Sequence, residues 1–224
     1  MLTLPTRIIE AFVGEYASGK SENAINRALD FLEQQRNVVL VDLDLVEPFY
    51  TLRPLKEKLT ATGLKVIAWS REDALGFGET GTLLKAETKG VLRHPGDIIF
   101  DVGYGVGGAN ALNLIEGLPQ NEALKVYLVV NIARPMTATV SDIIAYGQTF
   151  PQLDGLINNT HLGSETTPAI VQAGALLVKK AAIALGVPFL WTSALAPVAK
   201  QLGAADCTGT PIHKLTRFME AALF

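Results

Sequence analysis

The eight residues Gly14–Ser21, GEYASGKS, fit the pattern G-x-x-x-x-G-K-[ST]. They lie between an apolar run ending in Phe12-Val13 and a stretch with helical periodicity. A strand, a glycine-bent turn and a helix in that order form a cradle for phosphate. The glycines let backbone N–H groups turn inward, and the helix start adds the positive end of its dipole. In such a loop Gly14, Glu15, Tyr16, Ala17, Ser18 and Gly19 wrap the phosphates, Lys20 reaches the β- and γ-phosphates, and the Ser21 hydroxyl holds Mg²⁺. The chain is therefore expected to bind a nucleoside triphosphate, with hydrolysis a separate question. A chance glycine turn before a helix is the alternative.

Strand and helix signals alternate along the rest of the chain, as βαβ units require. Strands are expected at Ile8–Val13, Val38–Leu43, Lys65–Trp69, Asp97–Val102, Lys125–Val130, Leu156–Asn158 and Phe189–Thr192. The helix after the loop carries Ala24, Ile25, Ala28, Leu29 and Leu32 on one face, with Glu22, Arg27 and Glu33 turned away. Further helices fit Pro54–Ala61, Thr82–Leu92, Ala109–Glu116, Ala138–Gln148, Pro168–Leu185 and Ile212–Ala222, with Gly63 and Gly186 as C-caps. The expected architecture is α/β: three αβα layers around a mostly parallel sheet. With 49% hydrophobic and 18% charged residues, the chain has the composition of a sheet covered on both faces. Its 224 residues suit a single domain over 1–224.

Composition also excludes classes. No apolar run approaches the ~18 residues that span a bilayer, and Glu10 interrupts what a signal peptide would need, so a cytoplasmic protein without a membrane span is expected. Cys207 is the sole cysteine and forms neither an internal disulfide nor a CxxC site. A net charge of −3 gives no basic surface for nucleic acid. None of His94, His161 and His213 has a second ligand at metal-binding spacing.

A triphosphate in the loop needs Mg²⁺ and acids to hold the ion and its waters, at the ends of neighbouring strands. VVLVDLDLVEP places Asp42 and Asp44 two residues apart on one face, and DIIFDVGYG ends in Asp101 followed by Gly103. Helix N-capping is the other use for an aspartate at these positions.

The phosphate loop, the VDLD segment, the D-x-G after an apolar strand, and NIARPMTATVSD followed by GLINN together resemble the MinD/ParA/Mrp-type P-loop NTPases of the CobQ/CobB/MinD/ParA group, over about Arg7 to Leu195. The resemblance implies the P-loop NTPase fold and ATP with Mg²⁺. It also implies that Asp44 positions the attacking water, Asp42 and Asp101 support the ion through its waters, Gly103 senses the γ-phosphate and Asn158 reads adenine. The loop around Ala194–Pro197 would close over the base. Proteins of this group carry a second lysine after the first loop glycine that reaches a partner's nucleotide; here that position is Glu15. A homodimer is implied by the group, while a carboxylate beside a triphosphate repels it and argues against activation in trans. Arg134 is a candidate replacement charge, or a surface arginine beside a proline.

Gly103, Gly105 and Gly108 also form G-x-G-x-x-G, a dinucleotide fingerprint; the next strand ends in Asn131 instead of the acid that meets a ribose, and NADP stays an alternative only through Arg134, which could receive a 2′-phosphate. Guanine readers use N-K-x-D, which is absent from VVNIARP and LINNTHL, and this favours adenine. The leading expectation is a slow Mg²⁺-dependent ATPase acting as a switch through Asp44–Pro48 and Gly103–Gly108, with an unidentified protein partner. An ATP-dependent transferase or ligase of the dethiobiotin-synthetase or cobyrinate-amidase kind is the second reading; its small carboxylate substrate would bind the charged, glycine-rich loop Ser70–Thr82. A non-hydrolysing nucleotide-binding module is the third.

Overall fold

The computed structural model describes residues 6–44, 52–68 and 84–219. Among these, eight strands form one sheet: β1 (Ile9–Gly14), β2 (Val38–Leu43), β3 (Lys65–Ile67), β4 (Asp97–Val102), β5 (Leu124–Val130), β6 (Gly155–Asn158), β7 (Phe189–Leu195) and β8 (Ile212–Leu215). Their spatial order is β3-β2-β4-β1-β5-β6-β7-β8, and every pairing in the sheet is parallel. A parallel ladder needs crossovers that cover both faces. Helices α1 (Lys20–Glu33) and α2 (Lys56–Thr60) cover one face. There Phe12, Leu40, Ile99, Val129 and Ile157 of the sheet meet Ala24, Ile25, Ala28 and Phe31 of α1 and Leu59 of α2.

After α3 (Ala86–Lys89), the helices α4 (Gly105–Ala109), α5 (Val140–Gly147) and α6 (Pro168–Leu185) cover the other face. Alternate strand residues Ile9, Ala11, Val13, Phe100, Val102 and Leu128 pack there against Ile143, Val178 and Ala181. Helix α6 starts at Pro168 with Thr167 as N-cap, its side chain accepting from Ile170 N, and stops at Gly186 with φ +70°. It spans 18 residues with a mean hydropathy of 1.5, so the expectation of no bilayer-length apolar segment is corrected on length and composition. Lys179 and Lys180 break the run in a linear reading. Its buried residues, Val171, Gly174, Ala175, Val178, Ala181 and Ala182, lie against the sheet.

Two further segments differ from the sequence reading. The loop expected around Ala194–Pro197 is instead the end of β7 and the start of helix α7 (Ala196–Leu202), with Pro197 in its first turn. Ile212–Ala222, expected as helix, instead begins as β8, paired with β7 from Thr192↔Ile212 to Leu195↔Leu215. Ile212, Leu215, Phe218 and Met219 imitate helical spacing, but an open sheet edge beside them offers a ladder that local periodicity does not report. The loop Ser70–Thr82 lies outside the described residues.

Candidate functional site

Gly14–Ser21 joins β1 to α1 with its backbone bent by left-handed residues: Ala17 at φ +53° and Gly19 at φ +91°. Such turns aim successive N–H groups into one concavity. A side chain at Gly14 would stand 2.6 Å from Val129 O. The space beside Gly19 is filled by the Asn159 amide, whose Nδ2 donates to Ser18 O at 2.7 Å. Asn23 Nδ2 donates to Gly19 O at 2.9 Å, so two asparagines from different elements fix the loop. Lys20 is buried, its Nζ donating to Glu15 O at 3.1 Å. Ser18 is fully buried, and its Oγ has no hydrogen-bond partner.

The strand register places Asp42 of β2 level with Asp101 of β4. Asp44 follows β2, and its N–H donates to Asp42 Oδ1 at 3.0 Å. Its own carboxylate lies over Gly103, with Oδ1 3.0 Å from where a Cβ would stand. Asp101 is 1% exposed, with the Ser21 hydroxyl and the Lys20 ammonium beside its carboxylate. Burial, and next the charge of Asp42, push its pKa well above the usual carboxylate range, with Ser21 and Lys20 acting in the opposite direction. An acid in that position calls for a cation. Among the described residues no three His, Cys, Asp or Glu side chains can hold an ion by themselves. The donor set fits Mg²⁺, which keeps its waters and takes one hydroxyl, phosphate oxygens and carboxylates at the second layer.

A cavity of about 330 Å³ opens from this cluster. Its lining includes Lys20, Ser21, Glu22 and Asp44 at the phosphate loop, and Asn159, His161, Leu195, Leu215, Arg217 and Met219 beyond it. Tyr16 and Tyr104, both exposed, meet edge to face with centroids 6.1 Å apart. Burial, then Arg134 and Arg217, push the His161 pKa down, so its imidazole is neutral at pH 7.

The expected residues are distributed unevenly. Ser21, Lys20 and Asp44 line the cavity, and Asp42, Asp101 and Gly103 do not. Asn158 is fully buried beneath it: Nδ2 donates to Val171 O at 3.1 Å and Thr192 Oγ1 at 3.2 Å, and Oδ1 accepts from Thr160 N. The cavity is met instead by the next residue, Asn159, which the sequence reading passed over although GLINN offers both asparagines. Glu15 does not aim its carboxylate at the cavity. Oε2 accepts from Met136 N at 3.0 Å, at the short 3₁₀ turn Pro135–Thr137 after β5. Burial raises its pKa, opposed by the Met136 bond and by Arg134, Thr137 and Lys20. Arg134 thus stands in the field of Glu15 and His161, with its Nε buried and without a hydrogen-bond partner. The second glycine motif serves close packing, since a Cβ on Gly108 would run into the carbonyl of Gly103. Cys207 is exposed and free.

No family model and no curated protein matches the sequence. Solved structures do match the chain. The cell division protein FtsY from Thermotoga maritima is 15% identical, with a TM-score of 0.54 over 99% of this chain and 70% of that one. The signal recognition particle receptor FtsY from Elizabethkingia anophelis is 13% identical, with a TM-score of 0.57 over 99% and 67%. The 54 kDa signal recognition particle protein from Aeropyrum pernix K1, solved with GDP, is 18% identical, with a TM-score of 0.52 over 85% and 42%. The fold is that of the P-loop NTPases. At these identities the likeness is one of architecture.

Proposed function

We propose that this chain binds Mg²⁺-ATP and acts as a slow nucleotide-dependent switch of the MinD/Mrp type. The observation that carries the reading is the convergence of Asp42, Asp44 and Asp101 on Lys20 and Ser21, with Asp101 fully buried. A bound triphosphate would occupy the backbone cradle, exchanging the Lys20–Glu15 carbonyl bond for contacts to the β- and γ-oxygens. Mg²⁺, held by Ser21 and by waters on Asp42 and Asp101, would neutralise phosphate charge. Asp44 would orient the attacking water, and its approach to Gly103 would report the γ-phosphate to the segment that follows.

Adenine is supported by the base end of the cavity. The amide nitrogen of Asn159 is committed to Ser18 O, which leaves its carbonyl oxygen to accept from an exocyclic amine. Guanine would call for an acid there; of the acidic lining residues, Glu22 is taken up by Phe218 and Met219 N–H groups and Asp44 belongs to the triphosphate end. GTP is the second reading, favoured by the GDP complex among the structural neighbours. Titration with fluorescent ATP and GTP analogues in Mg²⁺ decides between them. In the same assay Lys20→Ala is expected to abolish binding of either nucleotide, and wild-type affinity weaker than millimolar for both would end the proposal. Asp44→Asn is expected to lower phosphate release about a hundredfold while leaving affinity within a few-fold of wild type.

A further inference from the structure

Residues 216–219, which follow β8, form a strip that runs along α1, the helix that begins at the phosphate loop. Asn26 holds it reciprocally: Thr216 N donates to Asn26 Oδ1 at 2.8 Å, and Asn26 Nδ2 donates to Thr216 O at 2.9 Å. One turn earlier the Glu22 carboxylate accepts from Phe218 N at 2.9 and 3.0 Å and from Met219 N at 2.8 Å. Arg217 is thus pinned on both sides by side chains of α1. Phe218 enters the core, Leu215 and Arg217 line the cavity, and Met219 touches both. Leu215 is level with Leu195 in the β7–β8 ladder, which puts this wall beside the segment after β7, at the other side of the sheet from β2 and β4, whose ends carry Asp42, Asp44 and Asp101.

We infer that Leu215, Arg217 and Met219 form the purine-stacking wall of the nucleotide cavity, with the Arg217 guanidinium lying against the face of the base. This rests on the nucleotide-binding reading above. The chemistry of the strip selects a base over phosphate: its flanking groups are an aliphatic side chain and a thioether, which have nothing to offer an anion. A guanidinium is planar, weakly hydrated and a recurrent stacking partner of nucleobases, whereas an ammonium is not. Stacking reads the π-face and its area, so the wall favours purines over pyrimidines and leaves the choice between adenine and guanine to edge contacts such as Asn159. Because its anchors are in the first two turns of α1, the wall keeps a fixed distance from Lys20.

The test compares the affinities of wild type, Arg217→Ala and Arg217→Lys for Mg²⁺-ATP, Mg²⁺-GTP, Mg²⁺-CTP and inorganic tripolyphosphate. The expected result is that Arg217→Ala weakens ATP and GTP alike, each about tenfold or more. Tripolyphosphate should change less than twofold, CTP should lose less than the purines, and Arg217→Lys should not restore purine affinity. Unchanged ATP affinity in Arg217→Ala, an equal loss for tripolyphosphate, or full rescue by lysine would overturn the inference, the last two by making Arg217 a simple charge. Wild-type protein that binds neither ATP nor tripolyphosphate would instead bring down the underlying reading, and this inference with it.

Discussion

Asp101 is the residue on which the site's energetics turn. A carboxyl group this buried, with a second acid level with it across the ladder, opposes folding unless a cation arrives. Asp101→Asn is therefore expected to raise the Tm of the nucleotide-free protein by about 2–4 °C while abolishing the additional stabilisation that Mg²⁺ gives to the nucleotide complex. Differential scanning fluorimetry with and without Mg²⁺-ATP reads both effects, and a lower Tm without ligand would contradict the argument. His161 supplies a pH dependence. Its pKa lies below the ordinary histidine value in the folded protein because of burial and nearby arginines, so the unfolded chain binds the proton more readily. Stability should then fall as pH drops through about 6.5, with His94, also depressed, contributing in the same direction. His161→Gln should flatten the slope of Tm between pH 7.5 and 5.5 without removing it. That Lys20 and Ser21 meet the cavity was legible in the spacing of G-x-x-x-x-G-K-[ST], and Asp44 joins them there from the VDLD segment. Asn158 was not distinguishable from Asn159, since which of two adjacent residues faces a cavity depends on the strand's placement in the sheet.

At the scale of the element, α1 shows what periodicity leaves out. Ala24, Ile25 and Ala28 face the sheet as their spacing demands, yet Glu22 and Arg27 are not turned to solvent. Arg27 makes a bidentate pair with Glu10 at 2.8 Å for both bonds, and Glu10, the second residue of β1, is 3% exposed. The signal for this was a glutamate in an otherwise apolar strand, which needs a cation nearby. Arg27→Ala would strand that carboxylate and should cost about 3–5 kcal/mol in chemical denaturation, much of it recovered when Glu10→Leu is added. The C-terminal strip was illegible for a related reason. Its partners are the side chains of Glu22 and Asn26, some 190 positions away in sequence, and its apolar residues alone read as a helix.

At the scale of the molecule, the alternation of strands and helices made the layered α/β fold readable, whereas the strand order was not contained in any local pattern. That order matters because the chain reverses direction across the sheet at β1, between β4 and β5, and crevices of parallel sheets open at such a point beyond the C-terminal strand ends. The phosphate loop, Asp44, Gly103, Asn159 and the segment after β7 all follow strand ends at that edge, so a ligand there ties together most of the sheet. Saturating Mg²⁺-ATP, at about a hundred times Kd, should add about 2.7 kcal/mol to global stability. Hydrogen exchange should slow along β1, β4 and β6 together, and protection confined to the phosphate loop would count against a ligand at the centre of the fold.

The phosphate loop holds its shape through the protein's own bonds: the Asn159 amide on Ser18 O, the Asn23 amide on Gly19 O, and Ala17 kept in a left-handed turn. A receptor built in advance loses little chain entropy when its ligand arrives. Stopped-flow association rates should accordingly climb in proportion to nucleotide concentration with no plateau from a slow ordering step. Releasing Ser18 by Asn159→Ala should introduce such a plateau, turning a lock that is already cut into one that has to be shaped at each encounter.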